Sequence, residues 1–221
     1  MKALNFFLDF FLHIDKNLSL LIQNFGMFSY LLLFLVIFME TGFVVTPFLP
    51  GDSLLFAAGA LAAKNDLNIY LLYFILILAA FLGDTVNYWV GHFIGPKAFN
   101  PDFTFTIFNK KIKMGKIFKQ EYLHRAEDFY KKHGGKAIVL ARFVPIVRTF
   151  APFVAGISKM SYKHFISYNF LGGFFWVTLF LFSGYFFGGI KFVQNNFHYV
   201  VVAIILISFV PVVLEVIKKR A

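Results

Sequence analysis

Four charged residues interrupt two long apolar stretches of the sequence, with acids in one stretch and arginines in the other. Between positions 17 and 63 the only charged residues are Glu40 and Asp52, and between positions 137 and 158 they are Arg142 and Arg148. A charge at bilayer depth costs about 2.5 to 3.5 kcal/mol, so such residues need a partner, a ligand or a proton to carry. The sequence therefore predicts that the functional site lies where these side chains meet.

The residue types suggest what that site would bind. Guanidinium groups stay charged and present a planar fork of donors, which makes Arg142 and Arg148 candidate ligands of an anion such as a phosphate. Glu40 and Asp52 are expected to pair with the arginines when the site is empty, and one of them would take up a proton when an anion arrives. Two alternatives stay open: the four charges form salt bridges that only hold the fold, or Asp52 caps a helix.

Composition assigns the chain to the membrane proteins. The 221 residues are 59% hydrophobic and 14% charged, whereas soluble domains average about 25% charged residues. We therefore expect an all-α integral membrane protein with about three transmembrane helices. The predicted transmembrane helices are 67–95, 165–190 and 199–217, and 1–25 is predicted to be an N-terminal amphipathic helix.

Prolines divide the two charged stretches. Pro47, Pro50 and Gly51 interrupt the first, and Pro145 and Pro152 with Gly156 interrupt the second, so neither stretch can form one continuous helix. We predict two re-entrant hairpins, at 28–63 and 137–158, with Pro47, Pro50, Gly51 and Pro145 at their elbows. The alternative is that the prolines only kink two full spans.

Basic residues orient the chain. The segment 97–136 and the C-terminus are rich in Lys and Arg, which places both in the cytoplasm. With one span between them, the hairpins would then open to opposite sides and meet tip to tip. This inverted-repeat architecture, with a site at the membrane midplane, is typical of transporters.

Other residues are weaker candidates. Asp84 and His92 are eight positions apart on one span, where they form either a proton path or an ordinary interhelical contact. Trp176 is interpreted as a packing residue or an interfacial anchor. We find no metal-ligand spacing and no nucleophile constellation, so we expect no enzyme activity, no cofactor and no metal. Nucleic acid is not an expected partner of so apolar a chain. The oligomeric state stays open, and a homo-oligomer is one possibility that the sequence allows.

Several ordered motifs between about Phe38 and Gly189 resemble the DedA family of bacterial membrane proteins, which is related to the VTT-domain lipid scramblases. The motifs are Glu40-Thr41-Gly42, Pro47-Phe48-Leu49-Pro50-Gly51-Asp52, Gly83-Asp84, Tyr88-Trp89-Val90-Gly91, His133-Gly134-Gly135-Lys136 and Arg142-Phe143-Val144-Pro145-Ile146-Val147-Arg148. Asp52 stands where the family often has Glu, which keeps the charge on a shorter arm.

The resemblance implies a fold with two opposed re-entrant hairpins. It also implies transport of undecaprenyl phosphate, the lipid carrier of cell-wall synthesis, across the bacterial cytoplasmic membrane, with functional roles for Glu40, Asp52, Arg142 and Arg148. From the residues alone, two alternatives stay open. One is a proton/cation antiporter, although it leaves the arginines without an obvious role, and the other is a phospholipid scramblase.

Overall fold

The structure is a computed structural model of the chain that describes residues 14–43, 51–98, 104–107, 110–113, 130, 134–204 and 206–207. The described residues are helical apart from turns and one short β-hairpin. The helices are α1 (Ile14–Phe25), α2 (Phe28–Gly42), α3 (Gly51–Ala63), α4 (Ile69–Ala98), α5 (Lys136–Ala141), α6 (Pro145–Ile157), α7 (Tyr162–Phe187) and α8 (Lys191–Asn195).

Two helices of the described part are long and apolar enough to cross a membrane. They comprise Ile69–Phe93, within α4, and Tyr162–Phe187, which is α7. Each exposes large apolar side chains along one side, including Phe74 on α4 and Phe175 on α7, as expected of a lipid-facing surface. The third predicted span, 199–217, falls partly outside the described residues, and the chain is helical at 197–204.

The other apolar helices are short, because each apolar stretch is divided into two helices. α2 and α3 have 15 and 13 residues, so at about 1.5 Å per residue each is shorter than a bilayer core of roughly 30 Å. The connection between them contains Pro47 and Pro50, and both of these predicted elbow residues lie outside the described residues.

The second break lies directly before Pro145. The backbone of Val144 is extended, and Pro145 takes the first position of α6, where its missing N–H costs no hydrogen bond. Pro152 lies inside α6 rather than at a boundary, so only one of these two prolines ends a helix.

The helices pack in a reciprocal pattern. α2 and α6 pack on α4, whereas α3 and α5 pack on α7, and the α3–α7 and α4–α6 contacts are the most extensive. α3 lies at the centre of the molecule, with all of its residues from Gly51 to Ala62 buried. The arms of each predicted hairpin thus pack on different long helices.

Glycines allow the two most extensive contacts. A Cβ at Gly59 of α3 would overlap the carbonyl oxygen of Leu181 on α7, and one at Gly184 of α7 would overlap the carbonyl oxygen of Phe56 on α3. The α4–α6 contact has the same construction. There, Gly91 faces the carbonyl of Phe153 and Gly156 faces the carbonyl of Tyr88. Small residues of this kind let helix backbones approach closely.

The amphipathic N-terminal helix predicted at 1–25 is described from Ile14 onward, as α1. Leu18 and Ile22 are buried while Leu20 is exposed, and α1 packs on α2 and α3. This helix therefore presents one face to the core of the molecule.

The sequence did not predict the β-hairpin. Strands β1 (Thr104–Ile107) and β2 (Lys110–Lys113) pair in antiparallel register within the basic segment, with Thr104 opposite Lys113. The alternation of Thr with Phe and Ile in β1 is a strand signal. The basic segment was interpreted only by its positive charge.

Candidate functional site

Arg148 joins the two broken stretches through ion pairs. Its Nη2 donates to Glu40 Oε1, and its Nη1 donates to Asp52 Oδ1. All three side chains are buried, and Glu40 is only 1% exposed. The three charges that the sequence places on separate segments therefore converge at one point.

The ion pairs form at the broken helix ends. Glu40 lies in the last turn of α2, Asp52 in the first turn of α3 and Arg148 in the first turn of α6. Asp52 suits the positive end of its helix, whereas Glu40 and Arg148 lie at the ends that disfavour their own charge, by about 0.3 to 1 kcal/mol each. Pairing Glu40 with Arg148 offsets both costs.

Gly51 makes room for the Glu40 carboxylate. The Gly51 N–H donates to Glu40 Oε1 at 3.2 Å, and a Cβ at this glycine would overlap the carboxylate. This predicted elbow residue therefore holds a charged group as well as beginning a helix.

Arg142 pairs differently from the prediction. We expected it to share Glu40 and Asp52, but its Nη2 donates to Asp84 Oδ2 and to Asn169 Oδ1. Arg142 directly follows α5, which packs on α7, and that position brings it against Asp84 of α4. Asp84, a secondary candidate from the sequence, thus belongs to the charged cluster.

Asn169 and two glycines of α7 fix the position of Arg142. The Asn169 amide donates to the Phe81 carbonyl at 3.2 Å, which leaves its oxygen facing the guanidinium group. A Cβ at Gly172 would lie 2.9 Å from Arg142 Cδ, and one at Gly173 would lie 3.5 Å from Nη2. These glycines therefore leave the space that the arginine side chain fills.

Trp176 lies beside both arginines. Its ring centroid is 5.0 Å from Arg148 Cζ and 6.0 Å from Arg142 Cζ, within the range of a cation–π contact. Its Nε1 donates to Asp52 Oδ1 at 2.8 Å, and the side chain is fully buried. Trp176 is therefore part of the cluster and not the interfacial anchor that the sequence suggested.

The cluster keeps unused polar atoms. Among the described residues, Arg142 Nε, Arg148 Nε and Glu40 Oε2 are buried and have no hydrogen-bond partner. Three carboxylates of the described part (Glu40, Asp52 and Asp84) face two guanidinium groups, so the cluster carries one excess negative charge when every group is ionised. A buried excess charge is unfavourable, and one bound proton would remove it.

The charged atoms of the cluster contact each other directly. The physical reason is that each buried charge needs compensation for its lost hydration, and the closest compensation is an opposite charge.

Asn87 ties the helix ends of the site to α4. Its Nδ2 donates to the carbonyls of Thr41 on α2, at 3.1 Å, and of Thr149 on α6, at 2.7 Å. The side chain is fully buried. Its role was not predicted, although an amide inside an apolar span is a recognisable signal of interhelical hydrogen bonding.

His92 does not join Asp84. The two residues are separated by about 12 Å of helix rise, and the imidazole packs against the rings of Tyr88 and Trp89. An eight-residue spacing places the two side chains on one face of α4 without bringing them into contact. The proton path suggested for this pair therefore stays a prediction.

Comparison with known proteins identifies the family of the chain. The VTT domain family matches residues 49–186, and no solved structure matches the chain. Protein DedA of Escherichia coli K12 is 52% identical over 225 residues, covering 100% of this chain and 97% of that protein.

More distant relatives are also named as membrane proteins. The uncharacterized membrane protein ML0287 of Mycobacterium leprae is 38% identical, over 80% of this chain and 74% of that protein. The inner membrane protein YqjA of Escherichia coli K12 is 34% identical, over 72% of this chain and 67% of that protein. With the helical fold and the apolar spans, these matches confirm the predicted resemblance: the chain belongs to the DedA family of membrane proteins and carries a VTT domain.

Proposed function

We propose that this protein moves a polyprenyl phosphate, undecaprenyl phosphate, between the leaflets of the bacterial inner membrane for cell-envelope synthesis. One observation carries the proposal: two buried arginines lie beside the same indole, and each keeps an unused Nε–H. A phosphate group has more acceptor sites than a single carboxylate oxygen, so it can accept hydrogen bonds from both guanidinium groups. The protein then acts as a transporter and makes or breaks no covalent bond.

The arrangement of helices supports a membrane path for the headgroup. In the proposed topology, α2–α3 and α5–α6 are re-entrant hairpins that enter the membrane from opposite sides, and the C-terminus is cytoplasmic. The reciprocal packing of α2 and α6 on α4, and of α3 and α5 on α7, supports two inverted units. Ion pairs between the tips would close the path, and the arriving phosphate would open it by taking their place.

The surplus carboxylate supports coupling to protons. A phosphate that enters a cluster of three carboxylates and two guanidinium groups adds negative charge to a buried site, which costs free energy unless a proton enters with it. Glu40 is the proposed proton carrier, because its Oε2 is buried without a partner among the described residues. The proton gradient would then drive the lipid across.

Replacing Arg148 by Lys tests the proposal. Lysine keeps the charge that pairs with Glu40 and Asp52 but loses the planar fork. Lost hydrogen bonds to a charged group are worth about 1.5 to 3 kcal/mol, so we expect transfer of polyprenyl phosphate in proteoliposomes to slow roughly tenfold or more. Arg148→Ala is less informative, because an unpaired buried carboxylate costs about 3 to 5 kcal/mol and would unfold the protein.

Lys136→Arg, at the exposed first position of α5, is the matched control and should transfer lipid at the wild-type rate. A folded Arg148→Lys protein that transfers lipid as fast as wild type would contradict phosphate binding by the fork. A cation flux linked to pH without lipid movement would instead support an antiporter, and equal transfer of phospholipids and polyprenyl phosphate would support a scramblase.

A further inference from the structure

A cavity of about 430 Å³ lies at the turn between α6 and α7. Its volume is within the range of small-ligand sites. The described residues that line it include Tyr130, Gly134, Ser158, Lys159, Ser161 and His164. We propose that this cavity binds a phosphate group, and that it receives the lipid headgroup from the buried arginines at the cytoplasmic end of the path. This inference rests on the proposed function, because it names a second binding site of the same transport path.

The chemistry of the lining suits an anion. Lys159 and His164 are basic, Ser161 supplies a hydroxyl group, and none of the described lining residues is acidic. The Ser158 hydroxyl instead donates to the Ala155 carbonyl at 3.0 Å. Ser161 is the residue that precedes α7, yet its hydroxyl makes no capping hydrogen bond with that helix. The hydroxyl therefore remains available to a ligand in the cavity.

The backbone at Lys159 favours a functional interpretation of the lysine. Its φ is 54°, a left-handed conformation that glycine adopts with far less strain than other residues. Two hydrogen bonds hold the turn around it. The Tyr88 hydroxyl donates to the Met160 carbonyl at 2.5 Å, and the Met160 N–H donates to the Ala155 carbonyl at 3.1 Å. A cation thus occupies a position where the backbone alone would favour glycine.

The cavity and the ion-pair cluster share one helix. Ser161 and His164 lie at the start of α7, Asn169 contacts Arg142 further along the helix, and Trp176 contacts both arginines. From Ser161 to Asn169 is eight residues, about 12 Å along the helix axis. The two arms of the second hairpin also meet the cavity at their outer ends, at Gly134 and Ser158. A headgroup bound here would therefore lie about two helical turns from Arg142.

Lys159→Gly is the decisive variant, because it removes the cation and relieves the backbone strain. In proteoliposomes we expect the half-saturating concentration of polyprenyl phosphate to rise about fivefold, while the maximal transfer rate and the melting temperature do not fall. His164→Gln should act in the same direction. Lys163→Gln, an exposed lysine of the same turn that is outside the cavity lining, is the control and should change neither value.

Titration of the purified protein in detergent separates this inference from the transport proposal. Inorganic phosphate and a short-chain prenyl phosphate are titrated separately. Tighter binding of either one to wild type than to Lys159→Gly supports the cavity even if no lipid is transferred, and the ligand that binds identifies the source as free phosphate or a lipid headgroup. If both ligands bound equally to wild type and to Lys159→Gly, the proposed phosphate site would be overturned. It would also be overturned if Lys163→Gln lost as much affinity as Lys159→Gly, because binding would then depend on the positive charge of the surface in general.

Discussion

At the scale of single residues, the site depends on side chains that serve two partners at once. Arg148 holds two carboxylates, Asn169 holds Arg142 and the Phe81 carbonyl, and Trp176 contacts both arginines and Asp52. Because these groups share partners, a change at one should alter the geometry of the others.

Trp176→Phe tests whether the indole positions the site. Phenylalanine keeps a ring beside the arginines but cannot donate to Asp52, and a hydrogen bond to a charged group is worth about 1.5 to 3 kcal/mol. We expect lipid transfer in proteoliposomes to fall about tenfold, and the melting temperature to fall as well because the lost hydrogen bond is buried. Trp89→Phe is the control, since Trp89 packs against Tyr162 and His92. Wild-type transfer by Trp176→Phe would show that the indole N–H has no role.

The sequence predicted part of this residue network. Charged residues in apolar stretches are easy to recognise in a sequence, because only a few ionisable residues occur there. Of the four predicted residues, Glu40, Asp52 and Arg148 do meet. The partner of Arg142 could not be predicted, because helical periodicity indicates which face a residue occupies but not which helix packs on that face. Trp176 did carry a signal: it lies near the middle of α7, whereas tryptophans of membrane helices favour the interfaces.

At the scale of helices, close packing at glycines sets where the broken ends meet. Gly59 and Gly184 bring α3 against α7, and Gly91 and Gly156 bring α6 against α4. These crossings hold the first turns of α3 and α6, and therefore Asp52 and Arg148, at a fixed separation.

Gly59→Ala tests the importance of the α3–α7 crossing. The added methyl group would overlap the carbonyl oxygen of Leu181, and overpacking of this kind costs about 1 to 3 kcal/mol. We expect a lower melting temperature in detergent, and a loss of transfer activity as Asp52 moves away from Arg148.

Gly189→Ala provides the comparison, because no neighbouring atom of the described residues lies within 4 Å of a Cβ at that position. Its melting temperature should match that of wild type. If Gly59→Ala were as stable as Gly189→Ala, the close crossing would not contribute to the fold.

Helix boundaries were largely predictable, because the apolar runs end at Gly, Pro or charged residues. The predicted range 28–63 is occupied by α2 and α3, and 137–158 corresponds to α5 and α6 to within a residue. The β-hairpin in the basic segment was missed, since four-residue strands carry little periodicity. The choice of which arm packs on which long helix could not be predicted either, because it depends on shape complementarity between distant segments.

At the scale of the whole molecule, charge balance would link the site to the proposed transport. The buried charges of the cluster lie on both predicted hairpins and on α4, and Asn169 and Trp176 of α7 contact them. A ligand that replaces these ion pairs would therefore loosen contacts between the two units, which is the change that alternating access requires.

Glu40→Gln tests the coupling to protons. The substitution leaves two carboxylates facing two guanidinium groups, so no excess negative charge remains to be neutralised. A proton that moves down a gradient of one pH unit supplies about 1.4 kcal/mol, so an imposed gradient of that size should speed wild-type lipid transfer up to about tenfold. The rate of Glu40→Gln should not respond to the gradient.

The control for that experiment is Asp66→Asn, at an exposed acid in the turn between α3 and α4. It should respond to the gradient as wild type does. If Glu40→Gln responded fully as well, the coupling would not depend on this carboxylate.

The most direct test of the central claim is an experimental structure of the protein with bound polyprenyl phosphate. We expect density for the phosphate group within about 3 Å of guanidinium nitrogens of Arg142 and Arg148, with at least one carboxylate displaced from its arginine. A headgroup bound elsewhere, with the pairs of Arg148 to Glu40 and Asp52 and of Arg142 to Asp84 all intact, would contradict it.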